Sequence, residues 1–167
     1  MNEIVNKVAA SGLISLDIQD LLPKEERVVL DIAPVLWQGL VLKEKDFRAF
    51  IAEHNWSAYQ NKNLSFYCSA DAIIPTWAWM LLTTAAQPFA KRICFGNEAQ
   101  HINQLLSDAI RNLNVNAYEG ARVVVKGCSE LPVNESIYVL LTERLLPHVK
   151  SLMFGEPCST VPLFKKK

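Results

Sequence analysis

The chain has no excess of charge of either sign: 17 Lys and Arg are set against 17 Asp and Glu over 167 residues. A nucleic-acid surface needs a basic footprint, so no nucleic-acid partner is expected. The one basic cluster, Lys165-Lys166-Lys167, reads as a solvated tail. Long apolar runs are absent too. The stretch "AIIPTWAWMLLTTAA" is too short and too interrupted for a membrane span. "MNEIVNKVAASG" lacks the basic region and apolar stretch of a secretory signal. A cytoplasmic setting with no membrane partner follows as the expectation. Thiols stay reduced there, so the four cysteines are not expected to form a disulfide framework. There is no GxGxxG, no Walker loop, no GxSxG and no CxxC pair, which removes the common nucleotide, hydrolase and zinc-ribbon signatures. His54, His101 and His148 fall on or beside amphipathic helical segments, where surface or helix-end roles are expected.

What is present is an alternation of strand and helix. "RVVLDIAPVLWQGLVL" (27–42) predicts two strands around Pro34, an antiparallel edge hairpin. "KEKDFRAFIAEHN" (43–55) has Phe47, Phe50 and Ile51 at helical spacing. "NLSFYC" (63–68) predicts a strand, and "DAIIPTWAWMLLTTAAQPFA" an apolar helix with Pro75 in its first turn. "KRICFG" (91–96), "ARVVVKG" (121–127) and "SLMFG" (151–155) predict further strands. The segments 97–113 and 134–150 predict helices, the second with Asn134 as N-cap. Residues 1–23 predict one helix plus irregular chain. Strand starts recur about every 30 residues, as in βα units. The expected fold is a single α/β domain over 1–167. A mostly parallel sheet would carry helices on both faces, a three-layer α/β/α arrangement.

Three of the four cysteines are followed by serine: Cys68-Ser69, Cys128-Ser129 and Cys158-Ser159. Each pair falls at the carboxyl end of a predicted strand, along the edge where open α/β sheets place ligands at a reversal of strand order. Neighbouring strands lie only about 4.8 Å apart, so thiols at adjacent strand ends can converge. Cys94, inside a strand and without the serine, reads as core. A lone strand-end cysteine is most often structural; three in equivalent places suggest one site. Thiolates select zinc, copper(I) or an iron–sulfur cluster. The absence of CxxC pairs weakens zinc, and a cluster tolerates ligands spread over several loops. Asp71 or Glu156 would supply a fourth ligand or a supporting group, with helix capping the simpler role for Asp71. Ser69, Ser129, Ser159 and Lys126 would support the thiolates.

"CSADAIIPTWAWMLL", "VVVKGCSELPVNESIY" and "SLMFGEPCSTVPLFKKK" resemble an uncharacterised Bacteroidetes family, a domain of unknown function. The resemblance runs the length of the chain and supplies no activity. It implies retention of the cysteines matching Cys68, Cys128 and Cys158. It also implies a gene neighbourhood near sulfur-mobilisation iron–sulfur assembly, whose machinery becomes the expected protein partner. The expected function is a soft-metal or iron–sulfur accessory or carrier protein. Two competitors stand beside it: an enzyme using Cys68 as a redox or nucleophilic thiol, with a helix start to lower its pKa, and a protein-interaction scaffold with inert buried cysteines.

Overall fold

The computed structural model describes residues 12–127, 130–156 and 158–167. The chain divides into two compact units. A discontinuous unit takes residues 1–23 and 102–167, and an inserted unit takes 24–101.

In the inserted unit, β2 (Arg27–Asp31), β3 (Asn63–Tyr67) and β4 (Arg92–Phe95) form a three-stranded parallel sheet in chain order. Helix α1 (Glu44–Glu53) joins β2 to β3, and α2 (Thr76–Ala86) joins β3 to β4. Phe47 of α1 and Ala78, Leu82 and Ala86 of α2 share a core with Ile32, Leu64 and Phe66. The discontinuous unit pairs β1 (Leu13–Leu16), β5 (Arg122–Val125) and β6 (Ser151–Glu156) in parallel, and β7 (Ser159–Lys165) closes antiparallel on β6. Helices α3 (Glu98–Arg111) and α4 (Glu135–Leu145) supply Ile102, Leu106, Ile110, Ile137, Leu141 and Leu145 to its core.

The mixed α/β class with mostly parallel strands is therefore present, its strands shared between two sheets. The expected hairpin at 27–42 is not. After β2 the Asp31 side chain accepts from Ala33 N–H at 2.9 Å and turns the chain into a short 3₁₀ segment. Positive φ at Gln38 and Gly39 then leaves a single bridge, Trp37 to Val41. The antiparallel pair lies at 151–165 instead, where "CSTVPLF" adds an edge strand. Over 1–23, where one helix plus irregular chain was expected, residues 13–16 are strand; residues 1–11 lie outside the described residues. Asn134 caps α4 as predicted, accepting from Ser136 N–H at 3.1 Å. Pro75 stands one position outside α2, as its N-cap.

The two units are built on one plan. A constant shift of 59 positions carries Asn55 to Asn114, Tyr59 to Tyr118, Pro88 to Pro147 and Phe95-Gly96 to Phe154-Gly155. The structure follows the same shift. Buried Ala78, Leu82 and Ala86 correspond to buried Ile137, Leu141 and Leu145. Thr83 and Thr142 each donate to the carbonyl one turn back, at 2.8 and 2.7 Å. Asn61 and Gly120 both have positive φ, 59° and 67°, the left-handed conformation that glycine and asparagine tolerate best. The ring pairs Trp79–Phe95 and Tyr138–Phe154 are both edge-to-face, at 80° and 81°. "LDI" at 16–18 and at 30–32 closes the first strand of each unit, and each aspartate side chain accepts a backbone N–H two residues on. The chain thus reads as a duplication, with one copy inserted after the first strand of the other.

Candidate functional site

Neither parallel set reverses its strand order: β2-β3-β4 and β1-β5-β6 are both sequential. Neither sheet by itself therefore contains the crevice expected at a reversal. In the inserted unit the loop after β3 carries "CSADAIIP". Cys68 opens it, half-buried, its Sγ 3.7 Å from Ala70 O. Beside it is a cleft of about 380 Å3 lined by Tyr67, Cys68, Ile74, Trp79, Phe95 and Gln100. Phe95 is 55% exposed, so the cleft presents aromatic surface and one thiol together.

The loop is fastened by an acid that sequence reasoning missed. Asp31, at the end of neighbouring β2, accepts from Ser69 N–H at 3.0 Å and from Ser69 Oγ–H at 2.5 Å. Burial pushes the Asp31 carboxyl up, but the bonds from Ser69 and Ala33 outweigh it and hold it below its usual value. Ser69 thus ties the start of this loop to the end of β2. Asp71 is exposed and does not cap α2, which starts only at Thr76 and has no side-chain cap bond. The signal available was the repeated "LDI": an aspartate at a strand end that can bond the adjacent loop.

In the discontinuous unit, β6 ends at Glu156 and β7 begins at Ser159, which pair across the hairpin. Cys158 lies in the turn between them and is exposed. Glu156, Cys158 and Ser159 thus share one hairpin tip, at the carboxyl end of β6. Lys126 follows β5 and lies 3.9 Å from Asp17. Gly127 lets the chain pass against Phe154, since a Cβ there would lie 2.6 Å from the ring. Cys128 and Ser129 lie outside the described residues. By the 59-position shift Cys68 matches Gly127 and Cys128 matches Ser69, so the two Cys-Ser pairs are one step out of phase.

The structure brings the sequence-selected residues together in two groups, Cys68 with Ser69 and Glu156 with Cys158 and Ser159, one group in each unit. Among the described residues no group of three potential metal ligands gathers. Cys94 is buried in β4, as expected of core, and burial pushes its thiol up. His148 bonds Glu119 at 2.9 Å and His54 bonds Tyr59 at 2.8 Å. His101 corrects the expectation of a surface role. It is fully buried with neither ring nitrogen bonded among the described residues, because α3 buries the His101–Leu105 row beside the Ile102–Leu106 row. Burial first, then Arg27 and Arg92, push its pKa down and keep the ring neutral.

No helix among the described residues is long and apolar enough to cross a membrane. A family model described as "Protein of unknown function (DUF2480)" matches residues 2–166. No curated protein and no solved structure matches the chain.

Proposed function

The chain belongs to the DUF2480 family, and from that premise we propose a cytoplasmic accessory or carrier protein whose strand-end cysteines bind a soft metal or an iron–sulfur cluster. The ligands would be Cys68, Cys128 and Cys158. The observation that supports this most is the contrast among the described thiols. Cys68 and Cys158 are free and accessible where the chain leaves a strand, whereas mid-strand Cys94 is buried. Thiolates favour zinc, copper(I) or iron–sulfur clusters. A mononuclear zinc would need sulfurs at about 2.3 Å, a tighter demand than a cluster makes. Glu156, in the same hairpin as Cys158, is the carboxylate best placed along the chain to complete the ligand set. Asp71, Ser69, Ser129, Ser159 and Lys126 fill supporting roles, Lys126 with its charge already shared with Asp17. An exposed Cys158 suits transfer to a protein partner, which the family resemblance makes the iron–sulfur assembly machinery.

The test is metal analysis and a visible spectrum of protein purified without oxygen, alongside Cys68→Ala, Cys128→Ala and Cys158→Ala. Brown protein with iron and sulfide, bleached in every variant, is the expected result. Stoichiometric zinc lost in the same variants keeps the site with another metal. Colourless, metal-free protein overturns the proposal.

A second reading is favoured by the cleft around Cys68, which offers a substrate-sized space to a half-buried thiol. In it Cys68 is a nucleophilic or redox residue. Cys68 would then react with iodoacetamide at least about tenfold faster than Cys158, as an activated thiolate does. Equal rates overturn this reading.

A further inference from the structure

The duplication supplies an internal control for the amino edge of each sheet. In the inserted unit the lysines there are neutralised. Lys62 pairs with Glu26 at 2.8 Å and Lys91 pairs with Glu25, and the Lys91 ammonium holds the Glu25 carboxyl below its usual value. In the discontinuous unit the counterpart of Lys91 is Lys150, and the sequence counterparts of Glu25 and Glu26 are Ser11 and Gly12. The carboxylates have gone and the lysine has stayed.

Two further cations join it. Arg122 opens β5, Ser151 opens β6, and Lys165 ends antiparallel β7; they stand in register as Arg122, Ser151 and Lys165. Strands are about 4.8 Å apart, so residues of one register on successive strands share a face. β7, which brings Lys165, has no counterpart in the inserted unit. Arg122, Lys150 and Lys165 have no carboxylate within 4 Å among the described residues, and all three are exposed. They rim a cleft of about 440 Å3 floored by Met153, Pro162 and Phe164. That volume falls in the range of about 300–1,000 Å3 occupied by small-ligand sites.

We propose that this cleft binds a small amphipathic organic anion, its phosphate or carboxylate held by Arg122, Lys150 and Lys165 and its apolar body laid on Met153, Pro162 and Phe164. Three like charges around one cavity repel one another, and an anion among them relieves that repulsion while forming charge-assisted hydrogen bonds. The apolar floor adds area burial that a bare inorganic ion cannot use. Binding depends on both halves of the ligand and weakens as salt screens the exposed cations. The cysteines take no part, so the cleft stands or falls separately from the metal reading.

The experiment is a calorimetric titration of the full chain with phenyl phosphate, inorganic phosphate and phenol as separate probes. Phenyl phosphate is expected to saturate the protein and to bind at least about tenfold tighter than either fragment, a step of about 1.4 kcal/mol. Lys150→Gln weakens it by about threefold to tenfold, the range of one exposed charge contact. The triple variant Arg122→Gln, Lys150→Gln, Lys165→Gln abolishes saturation with an unchanged circular dichroism spectrum. The double variant Lys62→Gln, Lys91→Gln, at the matching corner of the inserted unit, binds as the parent does. No saturable binding of phenyl phosphate overturns the proposal, as does an equal loss in the Lys62/Lys91 control. Co-sedimentation with phosphatidylserine vesicles that phenyl phosphate does not compete away overturns it in favour of a membrane surface.

Discussion

The two units share a plan and differ at opposite ends of it. At the carboxyl edge of the inserted unit, Cys68, Trp79 and Phe95 border an open cleft. At the same corner of the discontinuous unit, Gly127 lets Phe154 lie against the strand exit, and Phe154 is more buried than Phe95. At the amino edge the relation is inverted: the inserted unit neutralises its lysines with Glu25 and Glu26, and the discontinuous unit leaves its cations around a cavity. What duplication kept is the set of positions that hold the fold: the buried row of the second helix, the left-handed residue before the middle strand, the edge-to-face ring pair. What it changed is what each sheet offers at its ends. A duplicated fold can diverge this way because strand-end loops are tolerant of substitution and core rows are not.

That comparison can be broken most forcefully in the cores. Leu82 and Leu141 are equivalent and both fully buried. Leu82→Ala and Leu141→Ala are each expected to cost about 2–5 kcal/mol in denaturant unfolding. All four tryptophans lie in 24–101, so tryptophan fluorescence follows the inserted unit. Circular dichroism follows both. A negligible loss in either variant denies the equivalence.

A smaller effect comes from making one carboxyl-edge corner resemble the other. Gly127→Cys places a Cβ within 2.6 Å of the Phe154 ring and is expected to cost about 1–3 kcal/mol by overpacking. The reverse change, Cys68→Gly, adds no atoms and costs less. If the two changes cost the same, the close approach at Gly127 is not what distinguishes the corners.

The smallest effect belongs to the aspartates. Asp31→Ala removes the acceptor for Ala33 N–H and for both Ser69 donors and costs about 1 kcal/mol, as loss of a capping carboxylate does. Because the folded state lowers the Asp31 pKa, its contribution is complete above the unfolded value near about pH 4 and is lost as pH falls through the folded value. Asp31→Asn therefore lowers stability at pH 7 more than at pH 3, measured by urea unfolding at the two pH values. An equal loss at both assigns Asp31 no role as a charged acceptor.

The sequence made the elements legible because their signals are local. The stripe of Phe47, Phe50 and Ile51 predicted α1, Asn134 predicted the start of α4, and mid-strand Cys94 was recognisable as core. Which sheet each strand joins is not local. Spacing of about 30 residues suits one long sheet or two short ones, and only pairing distinguishes them. The duplication was visible in principle as "NWSAY" and "NVNAY" with proline and "FG" following at matched intervals, but few identities carry it. The 27–42 segment misled because an apolar run around a turn resembles a hairpin, and the Asp31 side chain diverts it. Of the candidate site, the strand-end positions of Cys68 and Cys158 were legible from the strand pattern. Asp31 was not, because it reaches Ser69 from another strand, and the basic cleft was not, because strand register, not sequence proximity, brings Arg122 and Lys165 to the start of β6 beside Lys150.

The insertion also sets a timetable for synthesis. Leu13 on β1 pairs with Arg122 on β5, and every residue of the inserted unit emerges from the ribosome between them. The inserted sheet can close as soon as β4 is made, whereas β1 spends that interval as a strand with no neighbour, the condition in which edges recruit other chains. A collapsed insert also brings the two ends of that wait nearer, since fewer free links remain to be closed. The order of assembly is thus written into the order of the chain: the second copy can close first, and β1 must wait across the whole insert for its partner β5.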